Sequence, residues 1–535
     1  EPVMARPPSP SYRAGKFVRR HRVGVTAAAL LVLLLAGFGA TMAVQARRIA
    51  AARDVAESRR GQAEGLIDFM LGDLRAKLAP MGRLEILDDV GAEAMAYFAA
   101  LPESEFSDPE LLSRSRALAQ IGQVRLDEGR AAEAEEVLRE SLRLARELSE
   151  RAPDDTDRLF QLSQSHFWVG YAAWLHDDLA AADHEFLGYL DAAERLVELE
   201  PDSPDFALEL GFAHSNLGSV REARGDLTGA AEMFQRTLVV LRDLTRRDPA
   251  NVDWLGELAE THNKLGVVYR KQGRYPGALD EHQRELDMKR RLLTLSPGHA
   301  YWRSRLGFAH FYLANLQIMT GRLEPAIQNA GAAVAIMDSL TRHDPDNARW
   351  RQNLARMLRL QGETLAALGR RAPSLAAITA AEREMEALVR TDSTAFDWRY
   401  TLGSVHTTHA RVLLHFGEPE QALREARTAE RLLEGAGEET MLLRRYQAEA
   451  MLTLGRALRT AGRTDAAQAA LAAALDRLTS SGPTADTGEL RPLLAEAHIL
   501  AGREAEARAQ LDTLRSLGYA DPSLLRLAAD HGLSD

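Results

Sequence analysis

Residues 341–350 read TRHDPDNARW, and residues 245–254 read TRRDPANVDW, 96 positions earlier. Half of that offset is a period. Stepping by 48 from Trp254 reaches Trp302, Trp350 and Trp398, and one step back reaches Phe206. Prolines stand in register at 153, 201, 249, 297 and 345, and the column lapses at Ser393. A second column runs Gly129, Asp177, Gly225, Gly273, Gly321, Gly369, Gly417, then Gly462 and Gly502 with the spacing shortened to 45 and 40. Five residues after each of these comes a small residue: Ala134, Ala182, Ala230, Ala278, Ala326, Ser374, Ala422, Ala467 and Ala507. So many columns in one register define a repeat array.

Each column has a mechanical reason. Proline cannot continue a helix, so Pro249 closes one. Two residues later stands a residue suited to an N-cap: Asp155, Ser203, Asn251 or Asn347. A first helix of about 20 residues then runs to the glycine column, where a positive-φ turn ends it. A second helix of about 20 residues runs to the next proline, with apolar residues at three-and-four spacing, as in Leu238, Leu241 and Leu244. The unit is a helix–turn–helix that buries its face against its neighbours. The opening phrase is the joint between units, and its tryptophan is expected to pack the start of one unit on the previous one. Asp108-Pro109-Glu110 reads as the cap and first turn of the first unit.

The middle of each unit resembles the tetratricopeptide repeat. Leu217-Gly218 and Leu265-Gly266 match that family's Leu-Gly pair, Tyr269 falls three after the glycine, Gly225 and Ala230 match its Gly-to-Ala step, and Phe234 its later aromatic. The departure is length: 48 residues rather than 34, so both helices must be longer. The resemblance implies an all-α chain, a right-handed α-solenoid of about nine helical hairpins over residues 109–530, following a single transmembrane helix.

That helix is read at residues 23–44, VGVTAAALLVLLLAGFGATMAV, 22 residues without a charge. At 1.5 Å per residue it spans roughly 30 Å of hydrocarbon. Residues 45–108 form a helical linker and cap: a long helix through Ala79, a break at Pro80 and Gly82, and another helix at 84–100. Small residues four apart, Ala36/Ala40 and Gly39/Ala43, offer a seam for a homodimer. The chain of 535 residues has a net charge of −11 and no cysteine. Residues 1–60 carry 11 basic and 3 acidic side chains, so the acidity lies in the body of the chain. An acidic body argues against nucleic acid as a partner.

Residues 1–22, EPVMARPPSPSYRAGKFVRRHR, resemble the tail after the catalytic domain of bacterial eukaryotic-like Ser/Thr protein kinases. The matching positions are Glu1, Pro2, Val3, Ala5, Arg6, Pro7, Tyr12, Arg13, Phe17, Val18, Arg19, Arg20 and His21. Many members of that family carry tetratricopeptide arrays after the membrane helix. The resemblance implies a juxtamembrane tail at residues 1–22, a cytoplasmic N-terminus, a single pass of the inner (cytoplasmic) membrane and an extracytoplasmic array. The basic residues flanking the helix agree in direction. No kinase residue is present in these 535.

The sequence holds no phosphate-binding loop, dinucleotide fingerprint, Gly-x-Ser-x-Gly elbow or His-Glu-x-x-His pair. Five histidines stand in one column, His166, His214, His262, His310 and His406, with Leu358 in the gap. Equivalent positions in neighbouring units lie roughly 10 Å or more apart, whereas zinc holds its nitrogens at about 2.1 Å. The column also occupies the family's tryptophan position, so it is read as packing or hydrogen bonding, with no metal, cofactor or catalytic residue expected. In tetratricopeptide arrays the first helices line a concave groove. By register the groove-facing columns are Gln164, Phe212, Glu260, Phe308; Phe167, Ser215, Asn263, Phe311, Arg359; and Tyr171, Ser219, Val267, Asn315, Glu363. These vary from unit to unit where the packing columns do not. The candidate partner-binding residues are Phe167, Tyr171, Trp174, Phe212, Ser215, Asn263, Phe308, Phe311 and Asn315, for a protein or peptide ligand. The expected function is a membrane-anchored sensor or scaffold belonging to a Ser/Thr kinase; the alternative is a free-standing anchored adaptor that assembles complexes with no kinase.

Overall fold

The computed structural model describes residues 9–71, 91, 93, 94, 96, 106–434, 441–479 and 488–533. Among these residues there are helices and turns and no strand. Two helices lead: α1 (Pro10–Arg20) and α2 (Arg22–Leu71). Hairpins follow: α3 (Asp108–Asp127) with α4 (Ala131–Arg151), α5 (Thr156–Leu175) with α6 (Leu179–Leu199), α7 (Pro204–Ala223) with α8 (Leu227–Arg247), and α9 (Val252–Lys271) with α10 (Tyr275–Leu295). The next are α11 (Ala300–Met319) with α12 (Leu323–His343), α13 (Ala348–Ala367) with α14 (Arg371–Thr391), and α15 (Phe396–His415) with α16 (Pro419–Leu433). The chain ends in α17 (Met441–Thr460), α18 (Thr464–Thr479), α19 (Arg491–Leu500), α20 (Glu504–Ser516) and α21 (Pro522–Asp530). The helices pack in consecutive antiparallel pairs, an all-α solenoid of hairpins. The chain divides into two compact units, residues 1–161 and 162–535.

In the first unit α2 is one helix of 50 residues, about 75 Å long. Its stretch Arg22–Ala52 is long and apolar enough to cross a membrane, and none of its most apolar window is buried. The predicted break at Pro80 and Gly82 and most of the predicted helix at 84–100 lie outside the described residues. The cap of α3 differs from expectation by one residue. Glu110 accepts from both the backbone N–H (2.6 Å) and the hydroxyl (2.8 Å) of Ser107. Ser107 is the N-cap, and the Glu110 carboxylate at the third helical position holds it. Asp108, the expected cap, is drawn instead to Arg151 and Arg158, at 2.6 and 2.8 Å.

The second unit shows why the columns exist. From α5 to α14 first helices have 20 residues and second helices 21, the lengthening that a 48-residue period requires. Asn251 caps α9 by accepting from the N–H groups of Asp253 and Trp254, and Asn347 caps α13 through Trp350. The small column is sealed: Ala182, Ala230, Ala278, Ala326, Ser374 and Ala422 are all 0% exposed. Gly218 receives the ring of Phe234, which would stand 2.7 Å from an added Cβ. Trp302 lies over Gly256 of the preceding unit, 2.4 Å from where a Cβ would sit. The recurring phrase is thus a joint between units. In the histidine column His166 bonds Glu185 (2.8 Å), His310 bonds Asn329 (2.7 Å), and His262 bonds Glu281. Only His214 leaves its Nδ1 without a partner, and burial, with Arg236 nearby, lowers its pKa to about 4.

The loop column sits at positive φ throughout, and Asp177, at φ 60°, is its one non-glycine. The left-handed region costs an L-residue roughly 1–2 kcal/mol, less for Asp. Asp177→Gly is therefore expected to stabilise the second unit by about 0.5–1 kcal/mol, read as an upward shift of the urea midpoint. An unchanged or lower midpoint would show that the Asp177 side chain contributes more than its backbone costs.

Candidate interaction groove

The candidate groove columns of the first helices divide into three parts. At the α5 end Phe167, Trp168 and Tyr171 form an aromatic ladder. Phe167 stacks on Tyr171 with centroids 6.0 Å apart and meets Trp168 edge-on at 4.9 Å. Its other side rests on the buried rings of Phe186 (6.2 Å) and Tyr189 (5.7 Å). Trp174 packs on Phe186 at 6.5 Å, and Phe212 joins the same core. Tyr171 is 38% exposed and Leu175, one turn on, is 50% exposed. This end presents half-buried aromatic rings fixed from behind by a dry core.

The middle is ionic. Ser215 is buried and accepts from the Lys264 ammonium at 2.8 Å. Asn263 donates to Glu285 at 3.0 Å. Lys289, wholly buried, bonds Glu285 and lies 3.2 Å from Glu260, which holds Arg305. His282 adds a bond to Glu285 at 2.8 Å. Burial pushes the Glu285 carboxyl up, but His282 and Lys289 outweigh it and hold it down at about 2.

At the far end Phe308 and Phe311 are half-buried against the core around Met337 and Met357. Asn315 opens instead onto a cavity of about 150 Å³ with Arg359, Glu363, Arg411, Arg445 and Glu496. That volume holds several waters but falls short of the roughly 300 Å³ at which small-molecule pockets begin. Burial opposes the charge on Arg411, yet Glu496, Glu363 and Glu449 raise its pKa overall. Burial pushes the Asp521 carboxyl up to about 6, although it accepts from the N–H groups of Leu524 and Ser523.

One wall of this cavity belongs to the chain's own C-terminal segment. Tyr519, Asp521 and Leu524 line it beside Asn315 and Glu363. Gly488 N–H donates to Lys271 O at 2.7 Å, Ala520 N–H to Met319 O at 2.8 Å, and Arg526 to His415 at 2.8 Å. The ends of α9, α11 and α15 are therefore held together by residues 488–526. In a simple solenoid each unit touches only its neighbours. These contacts close the part around Asn315 and leave the ladder at Phe167 and Tyr171 accessible. Arg411 and Thr407 were reachable by one more step of 48 from Glu363 and Arg359. Arg445, Glu489 and Glu496 follow the break in spacing and carry no register signal.

Three stretches match tetratricopeptide repeat family models: residues 115–148, 213–248 and 452–523. The chain thus carries tetratricopeptide repeats, the architecture of protein-interaction scaffolds, and no enzymatic family is indicated. No curated protein matches it in sequence. Similar solved structures include apo RapI, at 12% identity and a TM-score of 0.48 over 78% of this chain and 98% of that one. The apo form of the quorum sensor NprR from B. thuringiensis aligns at 11% identity and 0.44 over 78% of this chain and 100% of that one. A tetratricopeptide repeat protein from Parabacteroides merdae aligns at 16% and 0.35 over 63% of this chain and 98% of that one.

Proposed function

We propose that this chain is the membrane-anchored, ligand-reading part of a signalling protein, and that its repeats hold a peptide or protein segment against the first helices. One observation carries the reading. The column Tyr171, Ser219, Val267, Asn315, Glu363, Arg411 is half-buried or exposed in every unit and holds six different residues. The column five residues past each turn is sealed in every unit and holds only Ala or Ser. A scaffold repeats where packing demands it and varies where it reads a ligand. Phe167 and Tyr171, rigid and partly open, are the anchors expected of such a surface.

The tail of residues 1–22 supports a Ser/Thr kinase as the parent protein, the apolar run Arg22–Ala52 supports a membrane anchor, and the basic residues before it support a cytoplasmic N-terminus. The intact mass of the protein from its source membrane tests the parentage: a kinase-sized domain upstream supports it, and its lack leaves an anchored adaptor. The ligand reading has its own test. Tyr171→Ala is expected to weaken binding of a selected peptide or partner at least about tenfold, the loss of a typical hot spot, with the circular dichroism spectrum unchanged. Unchanged affinity would remove the α5 end from the binding surface.

A further inference from the structure

Two core columns change character in the same place. The apolar column Val169, Leu217, Leu265, Leu313 turns polar at Gln361 and becomes His409 in α15, and the column Leu190, Leu238, Leu286, Val334 becomes Glu382 in α14. The two residues meet: His409 Nδ1 lies 2.6 Å from Glu382 Oε1. They also meet the histidine column. His406 Nδ1 lies 2.7 Å from Glu425 Oε2, on α16, and 3.4 Å from Glu382 Oε1. His409 Nδ1 lies 3.9 Å from Glu425 Oε2. Glu382, His406 and Glu425 each offer one donor atom, all within 4.8 Å of one another, and His409 bonds Glu382 beside them.

We propose that Glu382, His406 and Glu425, with His409 positioning Glu382, form a binding site for one divalent first-row transition metal ion of the zinc class. His406 Nδ1 lies 2.7 Å from Glu425 Oε2 and 3.4 Å from Glu382 Oε1, near the edge of about 3.3 Å of a tetrahedron with bonds of 2.0–2.1 Å. The four side chains are only 11–27% exposed, so two carboxylates share a poorly hydrated space. A divalent ion neutralises both carboxylates without either histidine having to be protonated. Imidazole with carboxylate and no thiolate favours zinc, cobalt or nickel over magnesium and calcium, which take oxygen alone, and over soft copper(I). Three protein donors leave the fourth position of a tetrahedral ion to water. The ion would pin α14, α15 and α16 across the joint between two units. The separation argument against a metal held by successive histidines does not apply, because the three donors belong to one neighbourhood.

The test uses the full chain in detergent, stripped with chelator and titrated with zinc chloride. One zinc per chain is expected, with a rise in melting temperature of about 3 °C at free zinc near 100 times its dissociation constant. Cobalt should give the visible absorption of a tetrahedral site. The double variant E382L/H409L restores the apolar residue of both columns and should stay folded and lose the bound ion. Glu382→Gln, which keeps the shape, should weaken zinc at least about tenfold, as loss of one charged ligand demands. No stoichiometric zinc in the parent, an equal shift with magnesium, or unchanged affinity in both variants would overturn the site.

Discussion

Lys289→Ala is expected to destabilise the second unit by about 3–5 kcal/mol, because it leaves buried carboxylates without their cation. Lys289 and Glu285 are both fully buried, and their partners Glu260, Asn263 and His282 are fixed on α9 and α10. The columns explain why the loss is large. Lys289 stands where neighbouring units bury Leu241, Met337 and Met385, and Glu285 where the preceding unit buries Thr237 and the following ones Ala333 and Ala381. The pair is an insertion of charge into a position built for methionine and alanine. The double variant K289M/E285A, which restores those residues, should recover much of the loss, since a buried ion pair is often matched by well-packed apolar groups. Chemical denaturation of both variants checks the argument, and equal destabilisation in the two would overturn it. The pair also sets an acid limit. The folded Glu285 pKa of about 2 lies below its unfolded value, so its stabilisation is complete above about pH 4.5. It is lost as pH falls from there through about 2, and the acid transition of K289M/E285A should lose that component.

What was legible in the sequence was whatever each unit must do again. Gly225, Ala230 and Trp302 recur because a turn, a close helix contact and a joint recur, and the structure uses them so. The groove columns were read from variation alone: Tyr171 is exposed and Glu363 half-buried, while Ser215 of the same columns is buried. What escaped notice were substitutions inside the core columns. Lys289 and His409 look like ordinary helix residues until they are set against Leu241 and Leu217. The signal was a charge where its equivalents are apolar, and motif searches along the chain do not read it. The closure by residues 488–526 left no such signal. Its partners, such as Gly488 with Tyr275, are far apart in sequence, and the register had already shortened to 45 and 40.

Tyr519→Ala is expected to cost about 3–5 kcal/mol, the usual loss for a large buried aromatic ring, and to release that closure. Tyr519 is 9% exposed and packs its ring 5.5 Å from Tyr275, whose hydroxyl donates to Gly488 O at 2.9 Å. Glu489 pairs with Arg270 at 2.5 Å, and Leu517 fills the space beside Gly273. These contacts lie on the turn ends of first helices, so the hairpins beneath retain their own cores when the segment lifts. Repeat arrays are governed by nearest-neighbour terms and open locally. Hydrogen exchange of Tyr519→Ala should therefore rise over residues 488–533 and at the ends of α9 and α11, while α5 to α8 stay as protected as in the parent. Exchange that rises equally in α5 to α8 would mean that the C-terminal segment sets the cooperativity of the whole second unit. With the segment released, the inner face around Asn315 and Glu363 would join the open ladder at Tyr171, so peptide affinity measured on the same variant reports whether closure limits how much of the groove a ligand can use.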